Sequence, residues 1–106
     1  MSITINIFYI GDKVRDFVNE MINLGIVDEI RNEEGNIRYE YFYPLDDKAC
    51  VLLVDSWDSQ EALDMHHKSE MMNKIIKLRE KYNLKMEVKK YVEIDNTLND
   101  LKYIIK

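Results

Sequence analysis

One cysteine, one proline and three glycines among 106 residues leave little room for several kinds of protein. A single thiol rules out an intrachain disulfide and suits a reducing cytosol. Cys50 sits in the apolar run Ala49-Cys50-Val51-Leu52-Leu53-Val54, where a thiol behaves as a small buried hydrophobe. No linker, internal repeat or low-complexity stretch interrupts the chain. No apolar run approaches the roughly 20 residues that span a bilayer, so no membrane partner is expected. The start Met1-Ser2-Ile3-Thr4-Ile5-Asn6-Ile7-Phe8 lacks the positive flank and cleavage site of a signal peptide, and the expected location is cytoplasmic. Positive charge is also short: 15 Lys and Arg, scattered, stand against 20 Asp and Glu. Nucleic acid is therefore not an expected partner.

What remains is an ordinary globular composition, 46% hydrophobic, with length for one domain. A domain this small buries a modest share of its surface, and a second copy is a natural source of further burial.

Apolar spacing then predicts the elements. Ile3, Ile5, Ile7 and Tyr9 alternate with Thr4, Asn6 and Phe8, the period of two of a first strand. Val14, Phe17, Val18, Met21, Ile22 and Leu24 recur at helical spacing up to Gly25, a natural stop. Past the polar segment from Asp28 to Glu34, the stretch Ile37 to Tyr43 has the aromatic and β-branched content of a strand and ends at Pro44. Ala49 to Trp57 supplies a third strand, paired with the second as a hairpin and buried on both faces. Asp58 and Glu61 have the spacing of a capping box for a short helix through about His67. Ser69 can cap a further run to Asn83, the two pieces forming one bent helix or two. Lys85 to Ile94 alternates as a fourth strand, and Leu98, Leu101, Ile104 and Ile105 share one side of a short helix begun at Asp95 or Asn96. Residues 1–94 are thus one domain, and 95–106 an amphipathic, helical tail in need of a partner surface.

The order β-α-β-β-α-β is the ferredoxin-like, split βαβ arrangement of the α+β class: four antiparallel strands with helices on one face. The simplest cover for the other face is the same face of a second copy, which gives a homodimer, a dimeric α/β barrel with an isologous interface.

Certain residues carry a resemblance. Gly35 with Tyr39, Asp55 with Trp57, Glu61-Ala62, and His66 with Ser69 resemble the motifs of the antibiotic biosynthesis monooxygenase family. They correspond to its Gly-x-x-x-Tyr strand, its acidic-x-Trp strand end, its helix start with Glu-Ala, and its His followed three residues later by a small polar residue. Asp55 stands where the family more often has Glu. The resemblance implies the dimeric ferredoxin-like fold and, in some members, oxidation of quinols or polyketide phenols by dioxygen without metal or flavin. Related haem-degrading enzymes carry a Trp where this chain has His66 and an iron-ligating histidine about ten residues further on. Here that place holds Ile75-Ile76-Lys77, which disfavours haem.

The candidate site follows. Val51, Leu53, Asp55 and Trp57 project to one face of the third strand, so an acid and an indole share a surface near the next helix. Trp57 is either an aromatic wall or core, and Asp55 either orients a substrate hydroxyl or is satisfied by a local donor. His66 is the candidate base, because imidazole titrates near neutrality; its alternative is packing at the helix junction. Asn6 either hydrogen-bonds substrate or belongs to a solvent-facing row. Tyr39, Tyr41 and Tyr43 share a face that lines a pocket or an interface. Adjacent His66 and His67 do not share a helix face, so no metal site is expected. The expected function is cofactor-independent monooxygenation of a small aromatic or quinol substrate, using dioxygen, with His66 as base and Asn6, Asp55 and Trp57 lining the site. The rival is a dimeric small-ligand-binding or regulatory module without turnover.

Overall fold

A computed structural model describes residues 1–105, so Lys106, the last residue of the expected tail, lies outside the described residues. The chain runs β1 (Ile3–Ile10), α1 (Val14–Asn23), α2 (Ile26–Arg31), β2 (Asn36–Phe42), β3 (Cys50–Trp57), α3 (Gln60–His67), α4 (Glu70–Lys81), β4 (Lys85–Val92) and α5 (Leu98–Leu101). The strands form one sheet in the order β2-β3-β1-β4, every pairing antiparallel. This is the ferredoxin-like arrangement expected from the spacing.

Register decides which side chains meet. Ile3 pairs with Trp57, Ile5 with Asp55, Ile7 with Leu53 and Tyr9 with Val51. Because paired residues project to the same side, these eight form one surface, and Tyr39, opposite Asp55, extends it. α1 packs there through Phe17, whose ring lies 4.9 Å from that of Tyr9. Val14, Phe17, Val18 and Met21 of α1 share the core with Met71, Ile75 and Leu78 of α4. Thr4, Asn6, Phe8 and Ile10 alternate with that row and lie on the opposite face, where the hydroxyls of Thr4 and Ser56 are 2.8 Å apart.

Several details differ from the expectations. Gly25 does end α1, but its left-handed backbone, φ 75°, turns the chain directly into α2, which the polar reading of this region did not foresee. α2 is only six residues long and is held by Ile26, Val27 and Ile30, all buried. The bent-helix alternative resolves into two helices, α3 and α4, broken at Lys68 and Ser69. Ser69 precedes α4, yet its hydroxyl donates to the His66 carbonyl at 2.7 Å and caps the end of α3 instead. The capping box expected at Asp58 and Glu61 does not form: Ser59 is the N-cap of α3, accepting from the Ala62 amide at 3.1 Å. β3 is buried along its helix-facing row, while Leu52 and Val54 on its other face are half-buried.

β4 stops at Val92, and α5 is a single turn with a capping box between Thr97 and Asp100. Every described residue from Lys89 onward is exposed. The radius of gyration, 15.4 Å, exceeds the roughly 13 Å of a compact chain of this length.

Candidate functional site

The site is built where the loop before β2 meets the start of α3. Arg31, at the end of α2, donates through Nε and Nη2 to the Tyr39 carbonyl at 3.0 and 2.8 Å, tying α2 to β2. The intervening turn carries Gly35, whose carbonyl accepts from the Asp58 amide at 2.8 Å. Gly35 is required twice over. Its φ is 85°, and a Cβ there would lie 2.5 Å from the Ala62 side chain and 2.7 Å from the Asp58 carboxylate. The turn therefore sits directly on α3 and brings Glu33 to His66, 33 residues away in the chain.

His66 Nδ1 lies 2.6 Å from Glu33 Oε2, and the imidazole side chain is 3% exposed. Burial lowers the pKa of His66; attraction to Glu33 and the hydrogen bond oppose it, and His67 adds a smaller push downward. The net direction is down, so the ring is neutral near pH 7. A carboxylate can only accept, so Nδ1 carries the hydrogen and Nε2 holds the lone pair. Among the described residues Nε2 makes no hydrogen bond, and it is not sealed from solvent.

Behind the imidazole stands Trp57, stacked on it with ring centroids 4.8 Å apart and planes inclined by 27°. The indole is fully buried, and its Nε1 donates to Asp55 Oδ1 at 2.7 Å. Desolvation raises the Asp55 pKa to about 7, against the Trp57 hydrogen bond, which favours the carboxylate, and with a further push from Glu33. Tyr9, Tyr39 and Tyr41 surround this acid on the helix-facing surface. Burial raises all three phenols, Tyr9 to about 12, so they stay protonated. The Tyr41 hydroxyl is buried without a partner.

Three of the four expected site residues thus come together: Asp55 fixes Trp57, and Trp57 backs His66. Their roles differ from the expectation, because Asp55 and Trp57 support the imidazole from within the core and do not line the open cleft. Asn6 is not brought to them. It pairs with Val54 and Lys89 in the row on the far side of the sheet, because its neighbour Ile5 shares the row of Asp55. Glu33 was not foreseen, since nothing local in Asp28 to Glu34 marks one acid over another.

The cleft in front of His66 has a volume of about 540 Å³ and is lined by Glu33, Glu34, Asp58, Glu61, Ala62, Met65 and the serines 59 and 69. Among the described residues, no three His, Cys, Asp or Glu side chains are placed to hold a metal ion together. Nor is any helix among them long and apolar enough to cross a membrane.

A ferredoxin-like sheet with a histidine and a tryptophan stacked beneath its helices narrows the class, and comparison with known proteins completes the assignment. The sequence profile described as antibiotic biosynthesis monooxygenase matches residues 11–78, more than half of the chain. The chain belongs to that family. No curated protein matches it. Among solved structures, it is similar to a conserved protein of Methanosarcina mazei Go1, with 22% identity and a TM-score of 0.74 over 86% of this chain and 91% of that one. A candidate antibiotic biosynthesis monooxygenase of Deinococcus radiodurans gives 16% identity and a TM-score of 0.75, over 92% and 96%. Another, of Caulobacter crescentus CB15, gives 13% and 0.76, over 89% and 91%. At these identities the likeness establishes the fold.

Proposed function

We propose that the protein is a monooxygenase that works without a cofactor on a small aromatic or quinol substrate in the cytoplasm, with His66 Nε2 as the base. The observation that carries this reading is the buried His66–Glu33 pair at the head of a cleft, with one ring nitrogen held and the other left unpaired. Membership of the family supports the reaction class.

In this reading a phenolic O–H is delivered to Nε2. Proton transfer gives an imidazolium, stabilised through Nδ1–H by the Glu33 carboxylate, and an electron-rich phenolate. The phenolate then passes an electron to dioxygen; the two radicals recombine at a ring carbon that bears hydrogen, the imidazolium returns its proton to the peroxide anion, and loss of water from that hydroperoxide, with the carbon's hydrogen, leaves a carbonyl. The driving chemistry belongs to the substrate and oxygen, while the protein removes a proton, holds the ring and limits water. Trp57 and Asp55 act as positioning residues for the imidazole.

The working unit is proposed to be a homodimer. Phe8, Leu52, Val54 and Tyr91 on the face away from the helices present apolar surface that a second copy would cover.

Oxygen consumption by the purified protein with a panel of hydroquinones and anthrone-like phenols, no cofactor added, tests the activity. Uptake that falls by about 100-fold or more in His66→Ala is the expected result. Uptake unchanged by that substitution rejects His66 as the base, and none across the panel favours the ligand-binding module.

A further inference from the structure

Among the methionines inside the chain, Met65 is the one whose side chain stands open. It is 69% exposed, whereas Met21 and Met71 are buried, Met72 and Met86 are half-buried, and Met1 belongs to the exposed chain start. The Met86 sulfur is also occupied, accepting from Arg79 Nη1 at 2.7 Å. Ala62, Met65, His66 and Ser69 all line the cleft, and their spacing sets them in one stripe along α3 and its end.

A lone exposed methionine on a convex surface would need no explanation. Met65 differs by its place. With Ala62 it makes up the apolar part of a concave site otherwise lined by carboxylates, serines and the imidazole. Of those two side chains only Met65 is large enough to pack against a ring, so its chemical state decides whether that wall is apolar. A thioether is oxidised by hydroperoxides, and the sulfoxide is a polar group where a flexible apolar one stood.

We propose that Met65 is an oxidation switch of the cleft: a hydroperoxide converts it to the sulfoxide, which closes the site to apolar aromatic ligands. The sulfur lone pair attacks one peroxide oxygen, and an S–O bond forms as the O–O bond breaks. The departing hydroxide takes the proton of the transferred oxygen and leaves as water. Sulfur loses two electrons and the peroxide gains them. The exposed side chain is open to a sulfoxide reductase, so the change is reversible. The inference rests on the cleft being the ligand site proposed above, but added hydrogen peroxide serves as the oxidant and no turnover is needed to supply it.

Hydrogen peroxide added to the purified full chain, followed by mass spectrometry of peptides cut after Lys and Arg, tests the site. Cleavage after Lys48 and Lys68 separates Met65 from the other five methionines, and fragment ions separate it from Cys50 in the same peptide. Met65 should gain oxygen roughly tenfold faster than Met21 and Met71 and several-fold faster than Met72 and Met86. Trp57, stacked on His66, reports binding of 4-ethylphenol by its fluorescence, with calorimetry as a second readout. Affinity should fall several-fold as the Met65 sulfoxide accumulates and return after treatment with methionine sulfoxide reductases A and B. In Met65→Leu, whatever the starting affinity, peroxide should leave it unchanged. Four results would each overturn the proposal: Met65 oxidised no faster than the half-buried methionines, binding that ignores the sulfoxide, no binding by the untreated protein, or a peroxide-induced loss that persists in Met65→Leu. Oxygen uptake with hydroquinones is scored separately. Uptake undiminished by Met65 oxidation sinks the switch and keeps the oxygenase reading, whereas binding lost on oxidation without any uptake does the reverse.

Discussion

Trp57 and His66 lie face to face, 4.8 Å between ring centroids, so the candidate base rests on an indole that Asp55 holds from the other side. The line Asp55, Trp57, His66, Glu33 joins β3, α3 and the loop before β2. Each member fixes the next, and each has a measurable consequence.

Asp55 sets a pH dependence of stability. Its folded pKa, about 7, lies above its ordinary 3.8, so the folded state binds the proton more tightly than the unfolded one. The contribution is complete below about pH 4 and is lost as pH rises through about 7. Asp55→Asn keeps an acceptor for the Trp57 indole and removes the buried charge. In urea unfolding it should match the parent near pH 4 and exceed it by roughly 1–3 kcal/mol at pH 8.5. Equal stability of the two proteins at both pH values would show that the acid is not strained by burial.

The two glycines with positive φ should respond differently. At Gly25, φ 75°, an added Cβ meets nothing within 4 Å, and Gly25→Ala should cost about 1 kcal/mol from backbone strain alone. Gly35→Ala adds collisions with Ala62 and Asp58 and should cost roughly 2–4 kcal/mol. It should also loosen Glu33 from His66. Thermal unfolding of both variants gives the comparison, and equal costs would mean that the turn yields freely.

Much of this was legible in the sequence, and the exceptions have physical reasons. β1, α1 and β3 carry long apolar rows at clear spacing, and the i, i+2 pair Asp55 and Trp57 had to share a face. The alternation of Asn6 with Ile5 and Ile7 also placed it in the other row, though an isolated polar residue there invited a role. α2 escaped because six residues are too few for the spacing of Ile26, Val27 and Ile30 to stand out beside Asp28 and Glu29; burial of those three holds it, and Arg31 ties it to β2. Ser59 won the cap over Asp58 through one residue of backbone geometry that side-chain spacing does not record. Glu33 meets His66 only through the tertiary path of Arg31, Gly35 and Asp58.

The exposed tail makes a prediction about assembly. Ile94, Leu98 and Tyr103 are each more than 80% exposed, which a lone subunit would leave unburied. Sedimentation at micromolar concentration should show a species of twice 12.7 kDa, and truncation after Ile94 should shift it toward the single subunit. A clean single-subunit species for the full chain contradicts the dimer. Truncation that lowers unfolding temperature without changing mass would place the tail on its own subunit.

The imidazole itself offers the most direct test, through nitrogen-15 resonances of His66 followed against pH. At pH 7 the ring should be neutral, with Nδ1 protonated and Nε2 bare, and should titrate below the ordinary histidine value of 6.5. Folded protein then resists protonation of this ring, so its share of stability falls as pH drops below about 6.5. Removing the carboxylate in Glu33→Gln should move the titration lower still, because burial remains and the opposing attraction is gone. A ring protonated on Nε2, or a titration that ignores Glu33→Gln, would contradict His66 as a base held in place by Glu33.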